Sequence, residues 1–165
     1  MEKVYKVAGY VKLAKLWEKS KSEAIPYHHN YYKEKFEGKP EFELVDVFID
    51  ITGKKSILQR PQMISLIRQC MLGNVNCIAT QSKAYLAANM QEFCYLLETL
   101  LGSGKVIDIV TEDPAYNIDT IKNSDSQKAA LLKMAHDYIA LNVEDYKSWY
   151  GNLLIAMEKL ADGDS

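Results

Sequence analysis

Val4-Tyr5-Lys6-Val7-Ala8-Gly9-Tyr10-Val11-Lys12-Leu13-Ala14 decides the fold. The run is rich in β-branched and aromatic residues, and Gly9 permits close backbone approach, so it reads as a buried first strand. Lys15–Lys21 is a polar break that still holds Leu16 and Trp17. Ser22 reads as a helix N-cap, with Glu23 after it and Pro26 in the first turn. That helix should run to about Phe36, because Glu37-Gly38-Lys39-Pro40 places glycine past the end and proline after it.

Working outward, Phe42–Ile51 is a nearly continuous apolar run, the pattern of a parallel strand covered on both faces. Thr52–Ser56 is a polar loop. Gly53-Lys54-Lys55-Ser56 lacks the earlier glycine of a phosphate loop, since Phe48 stands where that glycine should be. Arg60-Pro61 opens a helix in which Met63, Leu66, Ile67, Cys70 and Met71 mark one buried face, and Gly73-Asn74 closes it. Val75–Thr80 is a third strand and Gln81–Ala88 a loop or helix start. Leu86, Met90, Phe93, Cys94, Leu97 and Leu101 stripe a further helix, ended by Gly102-Ser103-Gly104, before a fourth strand over Val106–Val110. Strands and helices alternate, with connections long enough for parallel neighbours. The predicted class is α/β, a mainly parallel sheet with helices on both faces. Function in such sheets collects at the C-terminal strand ends, here Lys12–Trp17, Asp50–Arg60, Thr80–Asn89 and Thr111–Tyr116.

Thr111–Asp125 reads as an irregular loop, dividing an α/β domain over residues 1–125 from a helical segment over 126–165. Ser126–Ala161 looks almost uniformly helical. Tyr146, Trp149, Tyr150, Leu153, Met157 and Leu160 line one seam, and Gly151 is a candidate kink. Unbroken, about 36 residues at 1.5 Å each would give a helix of roughly 54 Å. Its overhanging end would carry Trp149, Tyr150 and Leu153 and need a partner, unless it packs back on the parent domain.

The chain has 165 residues, a net charge of −2, 48% hydrophobic and 25% charged residues, which suits a globular protein of one domain. No apolar run is long enough to span a membrane, and no signal peptide is expected. Cys70, Cys77 and Cys94 lie in apolar contexts as reduced thiols, which fits the cytoplasm. A domain that gripped DNA alone should be basic, and the only arginines are Arg60 and Arg68. His28 and His29 are adjacent and point about 100° apart on a helix, a poor metal pair. His136 has no cluster around it, so neither a metal nor a cofactor is expected. Asp46 and Asp50 are strand carboxylates, and Asp50 suits a turn or a cap better than catalysis.

Several of these segments resemble the catalytic domain of serine recombinases (resolvases, invertases and large serine integrases). Ala8-Gly9-Tyr10-Val11-Lys12-Leu13-Ala14 is similar to that family's first-strand motif, Tyr-x-Arg-(Val/Leu)-Ser. Glu43–Asp50 looks like its second strand, and Arg60-Pro61 like the Arg-Pro after its flexible loop. Leu86 and Asn89 fit its Asp-Arg-Leu-x-Arg-Asn segment, and Glu144 and Tyr146 the start of its dimerisation helix. The resemblance covers about residues 4–160. It implies a serine that attacks a DNA phosphodiester while arginines stabilise the charge.

The departures fall on those groups. Ala14 stands at the nucleophile position and Lys12 at the arginine two residues earlier. Ala84, Tyr85 and Ala88 replace the aspartate and both arginines of the later segment, and the helix arginine beyond Glu144 falls at Ser148 or a neighbour. No catalytic residue is expected. Tyr10, Lys12 and Arg60 remain as candidates for phosphate or DNA contact. The expected function is a recombinase-family domain that does not cleave DNA. It would act as a homodimer or beside an active recombinase, through an interface of Tyr146, Trp149, Tyr150, Leu153 and Met157. DNA binding alone should be weak, because the chain stops soon after the last helix. Two alternatives stand beside this: an active recombinase using a relocated Ser20 or Ser22, and a flavodoxin-like binder of a small ligand.

Overall fold

The computed structural model describes residues 4–102, 104 and 106–162. Four strands, β1 (Tyr5–Leu13), β2 (Phe42–Ile51), β3 (Cys77–Thr80) and β4 (Asp108–Thr111), form one all-parallel sheet in the order β2-β1-β3-β4. The first strand is therefore central, with β2 and β3 hydrogen-bonded to its two sides. Its alternation sends Val7 and Val11 to one face and Ala8 and Tyr10 to the other.

α1 (Lys21–Phe36) covers the first face with Tyr32 and Phe36. Gly9 is required there, since a Cβ on it would lie 2.7 Å from the Tyr32 ring. The second face carries α2 (Pro61–Met71) and α4 (Met90–Leu101), with α5 (Ser124–Ala140) and α6 (Val143–Ala161) in the same core. A single helical turn, α3 (Lys83–Leu86), follows β3.

Three local expectations are corrected. A 3-10 turn over Lys15–Ser20 runs directly into α1, so the helix begins at Lys21. Ser22 is then inside its first turn rather than its cap, and Pro26 is its sixth residue. β2 is an edge strand whose first half is largely open to solvent. Its continuous apolar run reflects a bulge: Val7 pairs with Leu44 but Ala8 with Asp46, which leaves Val45 as the extra residue, 42% exposed. In α4, Met90 leaves the expected stripe and is exposed, whereas Glu92, Leu96, Thr99 and Leu100 are buried. The helix is covered by other helices as well as by the sheet, so its buried arc is wider than one stripe.

The largest correction concerns the C-terminal segment. A long C-terminal helix is present, but it is α6 alone, 19 residues and so about 28 Å. The helical segment breaks at Leu141-Asn142, where the Asn142 side chain caps α6 by accepting from the Asp145 amide. α6 then packs back onto the domain and runs unbroken through Gly151. Trp149, Leu153 and Met157 are buried in the shared core, while Tyr146 and Tyr150 are half-buried against it. The overhanging end expected to expose Trp149, Tyr150 and Leu153 does not exist, because the body of the domain supplies the partner for that seam.

Candidate functional site

The C-terminal end of β1 places Tyr10, Lys12 and Ala14 beside the ends of β2 and β3: Tyr10 pairs with Phe48 and Thr80, and Lys12 with Asp50. Tyr10 is fully buried and its hydroxyl donates to Asp50 Oδ2 at 2.8 Å. Asp50 also accepts from the amides of Gln62 (2.9 Å) and Met63 (2.8 Å). The carboxylate thus caps the N-terminus of α2 from a neighbouring strand, where it meets unpaired amides and the positive end of the helix dipole. The capping role read for Asp50 is the one it fills. Thr80 Oγ1 donates to the Tyr10 carbonyl at 2.9 Å, locking β3 to β1 at the same level.

Arg60 faces inward. It is wholly buried, and its guanidinium donates to the carbonyls of Tyr85 (2.7 Å), Leu86 (3.2 Å) and Lys55 (2.7 Å). Extended backbone before Pro61 turns the side chain under the loop rather than toward solvent. Arg60 therefore fastens the loop after β2 to the turn after β3. Of the candidates for phosphate contact, neither Arg60 nor Tyr10 reaches the surface, and the Arg60 Nε is buried without a hydrogen-bond partner. Lys12 is half-buried, with its ammonium 3.4 Å from the Thr52 carbonyl. Burial and then the charge of Arg60 lower its pKa. It is the member of this trio that retains access to water.

Ala14 is exposed at the strand end and its carbonyl accepts from the Trp17 amide, opening the 3-10 turn. Ala84 and Ala88 are exposed and line a hollow of about 290 Å³ with Lys83, Asn89, Met90 and Phe93. Lys83 is paired there with Asp113. Tyr85 lends its carbonyl to Arg60, so that position supplies backbone where charged side chains were expected. Ser20 lies at the junction of the 3-10 turn with α1, and Ser22 is exposed on the helix.

Glu92 was not foreseen as important. It is 5% exposed, and its carboxylate accepts from Ser56 Oγ (3.0 Å), the Ile57 amide (3.0 Å) and the Trp149 indole N–H (2.8 Å). Three donors from two distant segments satisfy a charge that burial would otherwise penalise heavily. The available signal was misleading: Asn89 and Glu92 have capping-box spacing, and Asn89 does cap α4. The Glu92 side chain, however, turns into the core instead of back to the cap.

Among the described residues no group of three His, Cys, Asp or Glu side chains could hold a metal ion. No helix among them is long and apolar enough to cross a membrane. Cys70, Cys77 and Cys94 are buried.

Burial sets one measurable property of this region. It raises the Tyr10 phenol well above its ordinary pKa, with the Asp50 carboxylate adding to the rise, and it raises Tyr32 likewise. A raised folded-state pKa gives stability that is complete below the unfolded value, about 10, and is lost as pH climbs toward the folded value. Denaturant midpoints should therefore fall above about pH 10. Tyr32→Phe should flatten that fall at little cost at neutral pH, because the Tyr32 hydroxyl has no hydrogen-bond partner. Tyr10→Phe should flatten it too, at a cost of about 1–2 kcal/mol for the lost bond to Asp50. A pH series that is equally steep in both variants would contradict the assignment.

This arrangement, a parallel β2-β1-β3-β4 sheet with helices on both faces, matches the fold of two serine recombinase catalytic domains. The N-terminal catalytic domain of TP901-1 integrase matches with a TM-score of 0.57 at 17% identity, over 86% of this chain and 97% of that one. The C-terminal catalytic domain of ISC1926 TnpA, an IS607-like serine recombinase, matches with a TM-score of 0.51 at 14% identity, over 82% of this chain and 99% of that one. No family model and no curated protein matches the chain. At these identities the likeness establishes the fold, and the residues at the strand ends carry any argument about chemistry.

Proposed function

We propose that this domain serves site-specific DNA recombination without cutting DNA itself, acting through association with another domain of the same fold. The observation that carries the reading is the end of β1. Ala14 has no side-chain oxygen there, and Arg60, the retained arginine, commits its Nη1 and Nη2 to three backbone carbonyls. Covalent phosphoryl transfer needs an activated nucleophile and donors aimed at the phosphate oxygens. Lys12, with Lys55 near it, supplies positive charge at this place as points rather than as a fork.

The aromatic seam of α6 is occupied by the core, so association falls to the outward side of the helix. Leu154 and Ile155 are exposed there, and Leu72 at the end of α2 lies across a hollow of about 380 Å³ that Leu154 also lines. With a net charge of −2, the domain should hold DNA weakly and lose it quickly as salt rises.

The test is a denaturing gel after incubation with a pool of duplex DNA. No protein–DNA adduct should form. An adduct that disappears in Ser20→Ala or Ser22→Ala would overturn the reading and identify a relocated nucleophile.

A further inference from the structure

A second concavity lies on the α1 side of the β1 end, apart from the buried Tyr10–Asp50–Arg60 group. It encloses about 560 Å³ and is walled by Leu13, Trp17, Glu23, Tyr27, His28 and Tyr85. The volume lies within the range of small-molecule sites, and so does a lining that is mostly apolar and aromatic with few polar groups. Trp17 stands on the 3-10 turn, which buries none of its residues, and is 45% exposed; Tyr27 is 65% exposed. These two large rings are held at the surface by short-range geometry rather than by the core. Glu23 and Tyr27 are one helical turn apart on α1, so the carboxylate and the ring share a stripe.

The charge of the wall is one-sided. Glu23 is its only carboxylate, and it has no lysine or arginine. His28 is the other titratable group besides the tyrosines. Burial, and then the neighbouring His29, lower its pKa, so at neutral pH it presents an uncharged ring, and its Nδ1 is shut from water without a hydrogen-bond partner. The nearest lysine on the helix, Lys21, is paired with Glu18 at 3.0 Å. Aromatic faces with one carboxylate and no competing cation attract a positive charge that carries an apolar body.

We propose that this hollow is a binding site for a small organic cation, a quaternary or arylalkyl ammonium. The ammonium sits over the Trp17 and Tyr27 rings near Glu23, and the apolar body lies against Leu13 and Tyr85. The site is independent of DNA cleavage, so it stands or falls separately from the proposed function.

Calorimetric titration with benzyltrimethylammonium tests it, with benzyl alcohol and phenylacetate as neutral and anionic controls. One-to-one saturable binding with a Kd of about 1 mM or tighter is expected for the cation, with the neutral control at least tenfold weaker and the anion weaker still. Trp17→Ala should weaken the cation about tenfold and Glu23→Gln about threefold, while Trp17→Phe retains most of it. Both positions are exposed, so the variants remain folded, and circular dichroism verifies this. No saturation, equal binding of benzyl alcohol, tighter binding of phenylacetate, or an unchanged Kd in both Trp17→Ala and Glu23→Gln would each overturn the proposal.

Discussion

Arg60→Met should cost the domain about 3 kcal/mol or more, although the replacement is apolar and of similar reach. The substitution leaves the Leu86 carbonyl buried, and those of Tyr85 and Lys55 part-buried, without their donor. Each such orphan costs about 1–3 kcal/mol, and the losses are not independent because one guanidinium serves all three. Arg60→Lys should recover little, since an ammonium cannot span two directions with a planar fork. For a chain of this size the thermal midpoint should drop by roughly 6–12 °C. A phosphate ligand at a surface would behave in the opposite way. Its removal would leave stability intact, or raise it by relieving repulsion with Lys12 and Lys55. An unchanged midpoint in denaturant would therefore return Arg60 to the list of ligand candidates and remove the strongest support for a non-cleaving domain.

Trp149→Ala is expected to be of similar size, about 3–5 kcal/mol. The ring is buried between Tyr95 and Tyr146, at centroid distances of 5.4 and 6.3 Å, and its N–H is one of the donors that satisfy Glu92. Truncation opens a cavity and leaves a buried carboxylate short of a partner. The contrasting substitution is Ile155→Glu, on the exposed side of the same helix. It should leave the stability within about 0.5 kcal/mol of the parent yet, under the proposed association, shift a sedimentation profile toward the monomer; a parent that sediments as a monomer at tens of micromolar would count against self-association itself. If Ile155→Glu sediments like the parent while Trp149→Ala remains stable and loses association, the seam would be the interface after all.

Much of the architecture was readable because its signals are local. The composition of Val4–Leu13, the Gly38 and Pro40 stop and Pro61 at the start of α2 each act within a few residues. The break at Leu141-Asn142 was harder. Neither glycine nor proline marks it, and apolar periodicity continues from α5 into α6. The cue present was Asn142 followed three residues later by Asp145, a cap signal that the periodicity overrode. The strand-end substitutions were visible as residue types, but the direction of Arg60 was not. Its acceptors include carbonyls 25 and 26 residues further along, brought to it by the β3 crossover. Glu92 was invisible for the same reason, since two of its partners stand 36 and 57 residues away.

That carboxylate has a consequence for motion. Ser56 and Ile57 belong to the loop that Arg60 fastens, and Trp149 belongs to the terminal helix, yet all three share one acceptor. Lifting α6 would strip Glu92 of its indole donor and draw water into the space beneath the loop. The helix and the loop are therefore one cooperative unit of opening, and slow hydrogen exchange at the Ile57 amide would rise and fall with exchange at the Trp149 indole. A partner that pulled on the outer side of α6 would, through this single side chain, loosen the loop that Arg60 holds on the same face of the sheet.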